Sequence, residues 1–334
     1  MDIVISHICA LLLIRRGYLP GVGRQCSSVL PTSMPTVEEV DRLKELFPCL
    51  AALDRPIDVL VGTPEAGHAT KRAVAHVRSA PLPAEALFQL APGVRCASPL
   101  FVPTLLTNGP TSLELALLLA EFMGLYAIDE TSEFGMVQRA KPLFTKAQGQ
   151  AFLTKLGSAR GTKRVRCALE IAPEMAASPQ EAKLYLRATL PLHQGGYNMG
   201  DVVLNDPVEL QRISANIKTL RTRKPDLLFV AGERGACLDY MGAWHTRGMQ
   251  PAFDAQRRNE LLAAGFKPYE IFKANYDDLD YMDGLMRSIQ KQLGLPRTYL
   301  SKEREVRYRQ ARLNLWRDLE SADTSIHRWE RYRR

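Results

Sequence analysis

The segment 224–242 constrains the fold of this chain more than any other part of the sequence. Apolar residues fill positions 227–230, and residues 232–235 read Gly-Glu-Arg-Gly, a composition typical of a tight turn. The pattern predicts two antiparallel strands joined by that turn. Each strand carries one carboxylate, Asp226 on the first and Asp239 on the second. We expect the two carboxylates to lie near the same end of a sheet.

Two carboxylates on adjacent strands suit Mg²⁺ or Mn²⁺, because hard divalent cations prefer oxygen ligands. One or two protein carboxylates, completed by the phosphate of a substrate, are enough for phosphodiester hydrolysis. We therefore predict Asp226 and Asp239 as metal ligands. A buried carboxylate without a partner costs free energy, so an aspartate in an apolar strand favours a functional role.

The charge of the chain favours an anionic partner. Its 334 residues are enough for two domains, and 46% hydrophobic residues indicate a globular protein with a core. The net charge is +8, for which nucleic acid is the usual partner. Residues 301–334 hold ten Lys or Arg against six Asp or Glu, which is half of the excess. The alternative interpretation is therefore a chain that merely ends in a basic tail.

The cysteines and the N-terminus predict a cytoplasmic protein. Six cysteines occur without a C-x-x-C pair, so we expect neither structural zinc nor a dense disulfide framework. Reduced thiols are typical of the cytoplasm. The apolar run 3–14 is too short for a membrane span, and no positive charge precedes it as in a secretory signal. It predicts a helix beginning near Ser6, with Ser6 as N-cap, and no association with a membrane.

The chain divides by pattern into three predicted segments: an N-terminal α/β domain of unknown function over 1–160, a second α/β domain over 170–295, and a basic helical tail over 296–334. In the first domain, apolar periodicity predicts helices over 37–53 and 112–123. The predicted elements of the second domain are a helix from 178 to about 190, strands over 201–204, 216–218, 224–230 and 236–241, a helix over 254–264, a strand over 269–273 and a helix over 279–293.

Four elements of the second domain carry polar residues in a specific order. The first helix begins Ser178-Pro179 and carries Glu181, and the hairpin carries Asp226 and Asp239. The residues that follow in this series are His245, Asp254, Arg257, Arg258, Asn259, Leu261 and Gly265. In this order they resemble the restriction-endonuclease-like domain that is related to very-short-patch-repair endonucleases. Many uncharacterised bacterial proteins, notably of the actinobacterial type, carry this domain at their C-terminal end.

The resemblance implies a restriction-endonuclease-like fold, with a mixed central sheet flanked by helices, preceded here by a smaller α/β domain. It implies Mg²⁺-dependent cleavage of nucleic acid, in particular DNA, in defence or DNA repair. The catalytic residues that it implies are Glu181 assisting from the helix, Asp226 and Asp239 holding the metal, and His245 orienting water. The residues predicted to contact nucleic acid are Lys224, Arg257, which would steady a phosphate, and Arg258.

Met241 departs from the P-D…(D/E)-x-K signature of these nucleases, in which lysine stands two residues after the second acid. Residues two apart share one face of a strand, so Met241 points the same way as Asp239. A thioether can neither position water nor stabilise negative charge. The candidates to replace the lysine are His245, Lys183, Lys224 and Lys273.

Three functions therefore remain open from the sequence. The first is an active nuclease. The second is a degenerate nuclease fold that binds DNA as a regulator or an antitoxin-like protein. The third is a protein-binding module, although nothing in the sequence indicates a protein partner. Glu181 could also have a structural role instead of a catalytic one, because Ser178 three residues before it predicts a capping box.

The tail combines arginines with the aromatic residues Tyr308, Trp316, Trp329 and Tyr332. Stacking and phosphate contacts from such a helix would suit nucleic acid. A helix that packs its aromatic side chains against the domain would show the same pattern.

Overall fold

The computed structural model describes residues 2–19, 26–53, 55–206, 208–214, 217–232, 234–241, 258–296 and 299–330. The chain is a mixed α/β protein, as the sequence predicts. It divides into an N-terminal unit of Met1–Glu170 with Asp323–Arg334, and a C-terminal unit of Ile171–Ala322. The segment 296–334, predicted as a separate tail, is therefore shared between the two units.

The strands of the N-terminal unit are β1 (Ile3–Ile5), β2 (Ile57–Val61), β3 (Ala73–Val77), β4 (Leu87–Ala91), β5 (Val94–Ala97), β6 (Tyr126–Ile128) and β7 (Met136–Gln138). Its helices are α1 (His7–Arg15), α2 (Val37–Leu46), α3 (Pro48–Ala51), α4 (Val102–Leu105), α5 (Ser112–Phe122), α6 (Lys146–Leu156) and α7 (Thr162–Ile171), the last of which ends one residue beyond the boundary. Helix α13 (Ile326–Glu330) from the end of the chain also belongs to this unit.

A five-stranded sheet in the order β3-β2-β1-β5-β4 organises the N-terminal unit. The central strand β1 pairs antiparallel with β2 and parallel with β5. All three residues of β1 are buried. The sequence predicts only a helix here, because the strand is short and merges with the apolar face of α1.

Two predicted helix starts differ in their caps. Ser6 has the extended backbone of an N-cap, but its side chain caps no amide of the helix and instead lies 2.9 Å from Nδ1 of His7. Thr36 forms a complete capping box with Glu39 at the start of α2. The predicted helix 37–53 is interrupted after Leu46, because Pro48 has no N–H to continue the α-helical hydrogen bonds.

A buried ion pair joins α1 to α5. Nε and Nη2 of Arg15 donate to Oε1 and Oε2 of Glu121 at 3.0 and 2.7 Å, and both side chains are almost fully buried. Nη2 of Arg15 also donates to the carbonyl of Thr324, and Oε1 of Glu121 accepts from the amide of Ile128. Within the N-terminal unit, the pair therefore links α1 and α5 to Thr324 and to the end of β6.

The helices of the C-terminal unit are α8 (Pro179–Thr189), α9 (258–263), α10 (Lys273–Asp277), α11 (Leu279–Leu293) and α12 (Lys302–Ser321). Its strands are β8 (Val202–Leu204), β9 (Val208–Ser214), β10 (Ile217–Arg223), β11 (Leu227–Ala231), β12 (Arg234–Met241) and β13 (Phe266–Phe272).

A four-stranded mixed sheet in the order β13-β12-β11-β8 forms the centre of the C-terminal unit. Strand β11 is antiparallel to β8 and β12, whereas β12 is parallel to β13. Leu227, Leu228 and Phe229 are all buried, so both faces of the sheet are covered. Leu261 of α9 packs with Leu228 on one face. Strands β9 and β10 form a separate hairpin.

Within the described part of the chain, no helix combines the length and the apolar character needed to cross a bilayer.

We predict that Glu121→Gln lowers the free energy of unfolding by about 3 kcal/mol, because it leaves the buried guanidinium of Arg15 without a counter-charge. Urea unfolding followed by circular dichroism measures this change. Glu85→Gln is the matched control, since Glu85 pairs with Lys155 on the surface, and should cost less than about 1 kcal/mol. Equal costs for the two variants would contradict a stabilising role for the buried pair.

Candidate functional site

Asp226 and Asp239 lie side by side where β11 and β12 pair. The register places Leu227 opposite Leu238, so Asp226 stands opposite Asp239. The amide of Asp226 donates to Oδ1 of Asp239 at 3.1 Å, and the amide of Tyr240 donates to Oδ2 of Asp226 at 2.6 Å. These crossed hydrogen bonds fix both carboxylates at one end of the sheet, as the hairpin pattern predicts.

The same register extends a row of polar residues across all four strands. On one side, Leu204 stands opposite Leu227, and the amide of Asn205 donates to the carbonyl of Asp226 at 3.2 Å. On the other side, Glu270 of β13 stands opposite Asp239. Residues directly opposite each other share one face of a sheet. Asp226, Asp239 and Glu270 therefore form a row, and the backbone hydrogen bond from Asn205 to Asp226 adds Asn205 at its end. We call these four residues the acidic row.

Glu181 approaches the acidic row from α8. Its Oε2 accepts from Nδ2 of Asn205 at 2.7 Å and from the amide of Ala177 at 2.8 Å. Its Oε1 accepts from the hydroxyl of Ser178 at 2.8 Å. Helix α8 thus brings Glu181 to Asn205, whose backbone amide bonds the carbonyl of Asp226.

One of the two hydrogen bonds of the predicted capping box forms at α8. The hydroxyl of Ser178 accepts from the amide of Glu181 at 3.2 Å, which is the usual N-cap contact. The carboxylate of Glu181 does not return to the amide of Ser178 but bonds Ala177 and Asn205 instead. Helix capping alone therefore does not account for the position of Glu181.

Burial raises the pKa of Glu181 above its ordinary value. Hydrogen bonds from Ala177, Asn205 and Ser178 oppose this rise, and the negative charge of Asp239 adds to it. The influence of Asp239 shows that the two carboxylates are electrostatic neighbours. Glu181 is thus a carboxyl group with a strengthened hold on its proton beside a second carboxylate.

Met241 stands next to the acidic row, two residues after Asp239 on β12 and opposite Phe272 of β13. Two of the lysines considered as replacements converge on another carboxylate, Glu320 of α12. Nζ of Lys183 lies 3.4 Å from Oε1 of Glu320, and Nζ of Lys273 lies 2.7 Å from Oε2. Both amines are thus engaged by acids of the fold.

Lys273 remains a cation in this environment. Although burial works in the opposite direction, its hydrogen bonds to Glu320 and Asp277 raise its pKa. An amine held in its protonated form favours stabilisation of negative charge over removal of a proton from water.

The candidates for contact with nucleic acid are exposed where the structure describes them. Lys224 is exposed just before Asp226. Arg258 of α9 is also exposed, and its Nη2 lies 3.4 Å from Oε1 of Glu270. This contact ties Arg258 to the acidic row. His245 and Arg257 lie outside the described residues.

The donor set at the acidic row fits a hard cation with few protein ligands. No group of three or more His, Cys, Asp or Glu side chains among the described residues could hold a metal ion. Asp226 and Asp239 remain as a pair of oxygen donors. Mg²⁺ is commonly bound by one or two carboxylates, with waters and substrate phosphates completing its shell. The pair therefore suits Mg²⁺ or Mn²⁺ better than a metal that needs a full protein cage.

The basic helix α12 is integrated into the C-terminal unit. Nη1 of Arg309 lies 2.6 Å from Asp280 and Nε of Arg312 lies 2.9 Å from Asp283, both on α11. Nε1 of Trp316 donates to Asp277 at 3.3 Å. Of the other predicted stacking residues, Trp329 is buried in the N-terminal unit, and Tyr332 lies outside the described residues.

The sequence interpretation missed Asn205 and Glu270. Asn205 has φ +51, a conformation that asparagine tolerates well, and the Asn205-Asp206 pair after a short strand is typical of a turn. Neither signal reveals that the side-chain amide of Asn205 donates to Glu181.

Comparisons of this chain with protein-family models, with curated protein sequences and with solved structures found no match.

We predict that Glu181→Gln removes a pH dependence of stability. Because the folded-state pKa of Glu181 is raised, the folded protein holds the proton more tightly than the unfolded chain, and stability falls as the pH rises from the ordinary glutamate pKa through the raised value. Urea unfolding at several pH values should show this fall in the wild type and its absence in the variant.

Glu38 is the control of opposite sign. Its own backbone amide and the side chain of Thr36 lower its pKa, so its contribution to stability is present above the ordinary pKa and is lost as the pH falls. Glu38→Gln should leave the Glu181 effect intact. A pH profile that Glu181→Gln leaves unchanged would contradict the assignment.

Proposed function

We propose that the C-terminal unit is a Mg²⁺-dependent endonuclease that hydrolyses phosphodiester bonds in nucleic acid, with DNA as the substrate to test first. The observation that supports this most directly is the pair of backbone hydrogen bonds at the two carboxylates, in which the amide of Asp226 donates to Asp239 and the amide of Tyr240 donates to Asp226. Such an arrangement presents two carboxylates at one sheet end with their positions set by backbone amides. A fixed oxygen pair of this kind suits a divalent cation and a phosphate.

The order of elements supports the resemblance to restriction-endonuclease-like domains. Helix α8 brings Glu181, the antiparallel hairpin β11–β12 brings both aspartates, and the parallel strand β13 follows α9. These are the elements from which the resemblance was drawn, in the same sequence along the chain. We extend the proposal to the fold of the C-terminal unit on this basis.

Each residue has a definite task in this proposal. Asp226 and Asp239 would hold the cation, which when bound polarises a phosphate oxygen and lowers the pKa of water. Glu181, whose pKa burial raises, would hold a proton beside them or release it during the reaction. Arg258 and Lys224 would neutralise flanking phosphates, and His245 would orient the attacking water.

We predict that Asp226→Asn and Asp239→Asn each lower the rate of DNA cleavage at least about 100-fold, because each removes one charge from the cation site. Labelled single- and double-stranded DNA with Mg²⁺ or Mn²⁺ provides the assay. Asp280→Asn is the control, since Asp280 is an exposed acid that pairs with Arg309, and should leave the rate unchanged. Products that persist in both variants, or no products from the wild type, would refute the nuclease.

Met241→Lys sharpens the same test. A lysine at this position would place an ammonium group on the strand face that Asp239 occupies, where it could stabilise negative charge on the phosphate. We expect cleavage to rise by about 10- to 100-fold in this variant. A rate that stays at the wild-type level would show that another group already supplies the function.

The second candidate function is DNA binding without cleavage, in a regulatory or antitoxin-like role. Met241 supports it, because the thioether cannot activate water. The exposed Arg258 and Lys224 beside the acidic row would serve binding equally well in this case. The two functions share the surface and differ in the outcome of the cleavage assay.

We predict salt-sensitive DNA binding that depends on these two cations. Lys224→Gln and Arg258→Gln should each reduce the slope of log affinity against log salt concentration by about 0.9, the value for one phosphate contact. Band-shift titrations at several salt concentrations measure this. Lys71→Gln, an exposed lysine of the N-terminal unit, should leave the slope unchanged. No binding even at low salt would favour a protein-binding module instead.

A further inference from the structure

The N-terminal unit contains a cavity of about 660 Å³ whose charged lining residues are mainly cationic. It lies beside β2, β3 and residues 104–108. Its charged and histidine side chains, among the described residues, are Arg55, Arg78, Arg160, His7, His76 and Asp58. Three guanidinium groups against one carboxylate favour an anionic occupant.

The carboxylate of Asp58 is already neutralised. It is almost completely buried, and its Oδ2 accepts from Nη2 of Arg55 at 2.8 Å. Its Oδ1 lies 2.8 Å from Nε2 of His76. Both oxygens are therefore engaged by these two residues, and Asp58 balances the charge of Arg55 rather than that of the other arginines.

Arg78 is a half-buried cation of the cavity wall. Its Nε is buried and has no hydrogen-bond partner within the described residues. Its guanidinium lies 5.0 Å from the centre of the Phe101 ring. Burial lowers the pKa of Arg78, and no acid of the described residues contributes an opposing rise. An anion bound in the cavity would therefore stabilise the half-buried guanidinium of Arg78 electrostatically.

Arg160 supplies a second guanidinium with a neutral partner. Its Nη2 donates to Oδ1 of Asn108 at 3.1 Å. The neighbouring Gly161 has φ +88, and a Cβ there would lie 2.4 Å from the carbonyl oxygen of Thr104. Only glycine permits this close approach, which holds Arg160 against the cavity wall.

A stacked pair of imidazoles completes the wall. The rings of His7 and His76 are 3.6 Å apart between centres, with 24° between their planes. His7 has φ +48 at the first position of α1, a left-handed conformation that a helix start does not require. Strained residues of this kind are concentrated at functional sites. The stack offers an aromatic surface to a planar group.

We propose that this cavity binds a phosphorylated small molecule of nucleotide size, with its phosphate held by Arg78 and Arg160. Guanidinium groups match phosphate oxygens through paired hydrogen bonds. The cavity volume exceeds what inorganic phosphate needs and lies within the range of about 300–1,000 Å³ for small-molecule sites. The site is separate from the acidic row and does not depend on cleavage of nucleic acid.

Isothermal titration calorimetry on the full chain tests the proposal with AMP, ATP, adenosine, inorganic phosphate and citrate. We expect AMP or ATP to bind at least tenfold more tightly than adenosine and citrate, and inorganic phosphate to compete. Arg78→Gln and Arg160→Gln should each weaken nucleotide binding at least tenfold. Citrate binding as tight as that of AMP, or no nucleotide binding by the wild type, would overturn the proposal.

Three controls make the result specific. Arg72→Gln replaces an exposed arginine that pairs with Asp41 in the same unit and should bind nucleotide like the wild type. Asp226→Asn and Arg258→Gln test whether nucleotide binds at the C-terminal unit instead, and unchanged affinity in both is expected. Arg160 is exposed, so its variant tests the site even if Arg78→Gln fails to fold, as judged by circular dichroism. Unchanged affinity in Arg160→Gln and a folded Arg78→Gln would refute the assignment.

Discussion

The pairing register of β11 with β12 is the constraint on which the acidic row depends. Side chains alternate between the two faces of a strand, so a slip of one residue would move Asp226 to the face opposite Asp239 and break both crossed hydrogen bonds. Two glycines permit this arrangement of the strands, one in the turn and one where β12 meets β13. Gly232 has φ +60 in the turn, and a Cβ at Gly235 would lie 2.2 Å from the Phe266 ring of β13. Glycine at 235 thus keeps β13 close beside β12.

Features encoded locally could be predicted from the sequence. The hairpin follows from apolar runs around a Gly-rich turn, and α11 spans the predicted residues Leu279–Leu293 because Asp278 caps it and Gly294 ends it. The approach of Asp226 to Asp239 follows from the hairpin, since a short turn leaves little freedom in pairing. Cleavage and metal binding rest on chemistry at this pair and stay predictions.

Features that depend on distant pairing could not be predicted. Strand β1 has three residues, and only its partners β2 and β5, at least 50 residues away, separate it from the helix that follows. The contact of Glu181 with Asn205 likewise joins α8 to the end of β8. The aromatic pattern of the tail gave no sign that Trp329 is buried in the N-terminal unit, because stacking and packing residues are the same types.

Both candidate sites hold charges that their surroundings leave incompletely balanced, and the signs differ. In the C-terminal unit, burial and the charge of Asp239 raise the pKa of Glu181, because both disfavour its negatively charged form. In the N-terminal unit, burial lowers the pKa of Arg78, because it disfavours the positively charged form. A ligand that binds the folded state stabilises it, and each site gains from a ligand of opposite sign. In the two proposals, the cation would bind at the acidic row beside Glu181 and the anion in the arginine-lined cavity, so that the two units would take different ligands.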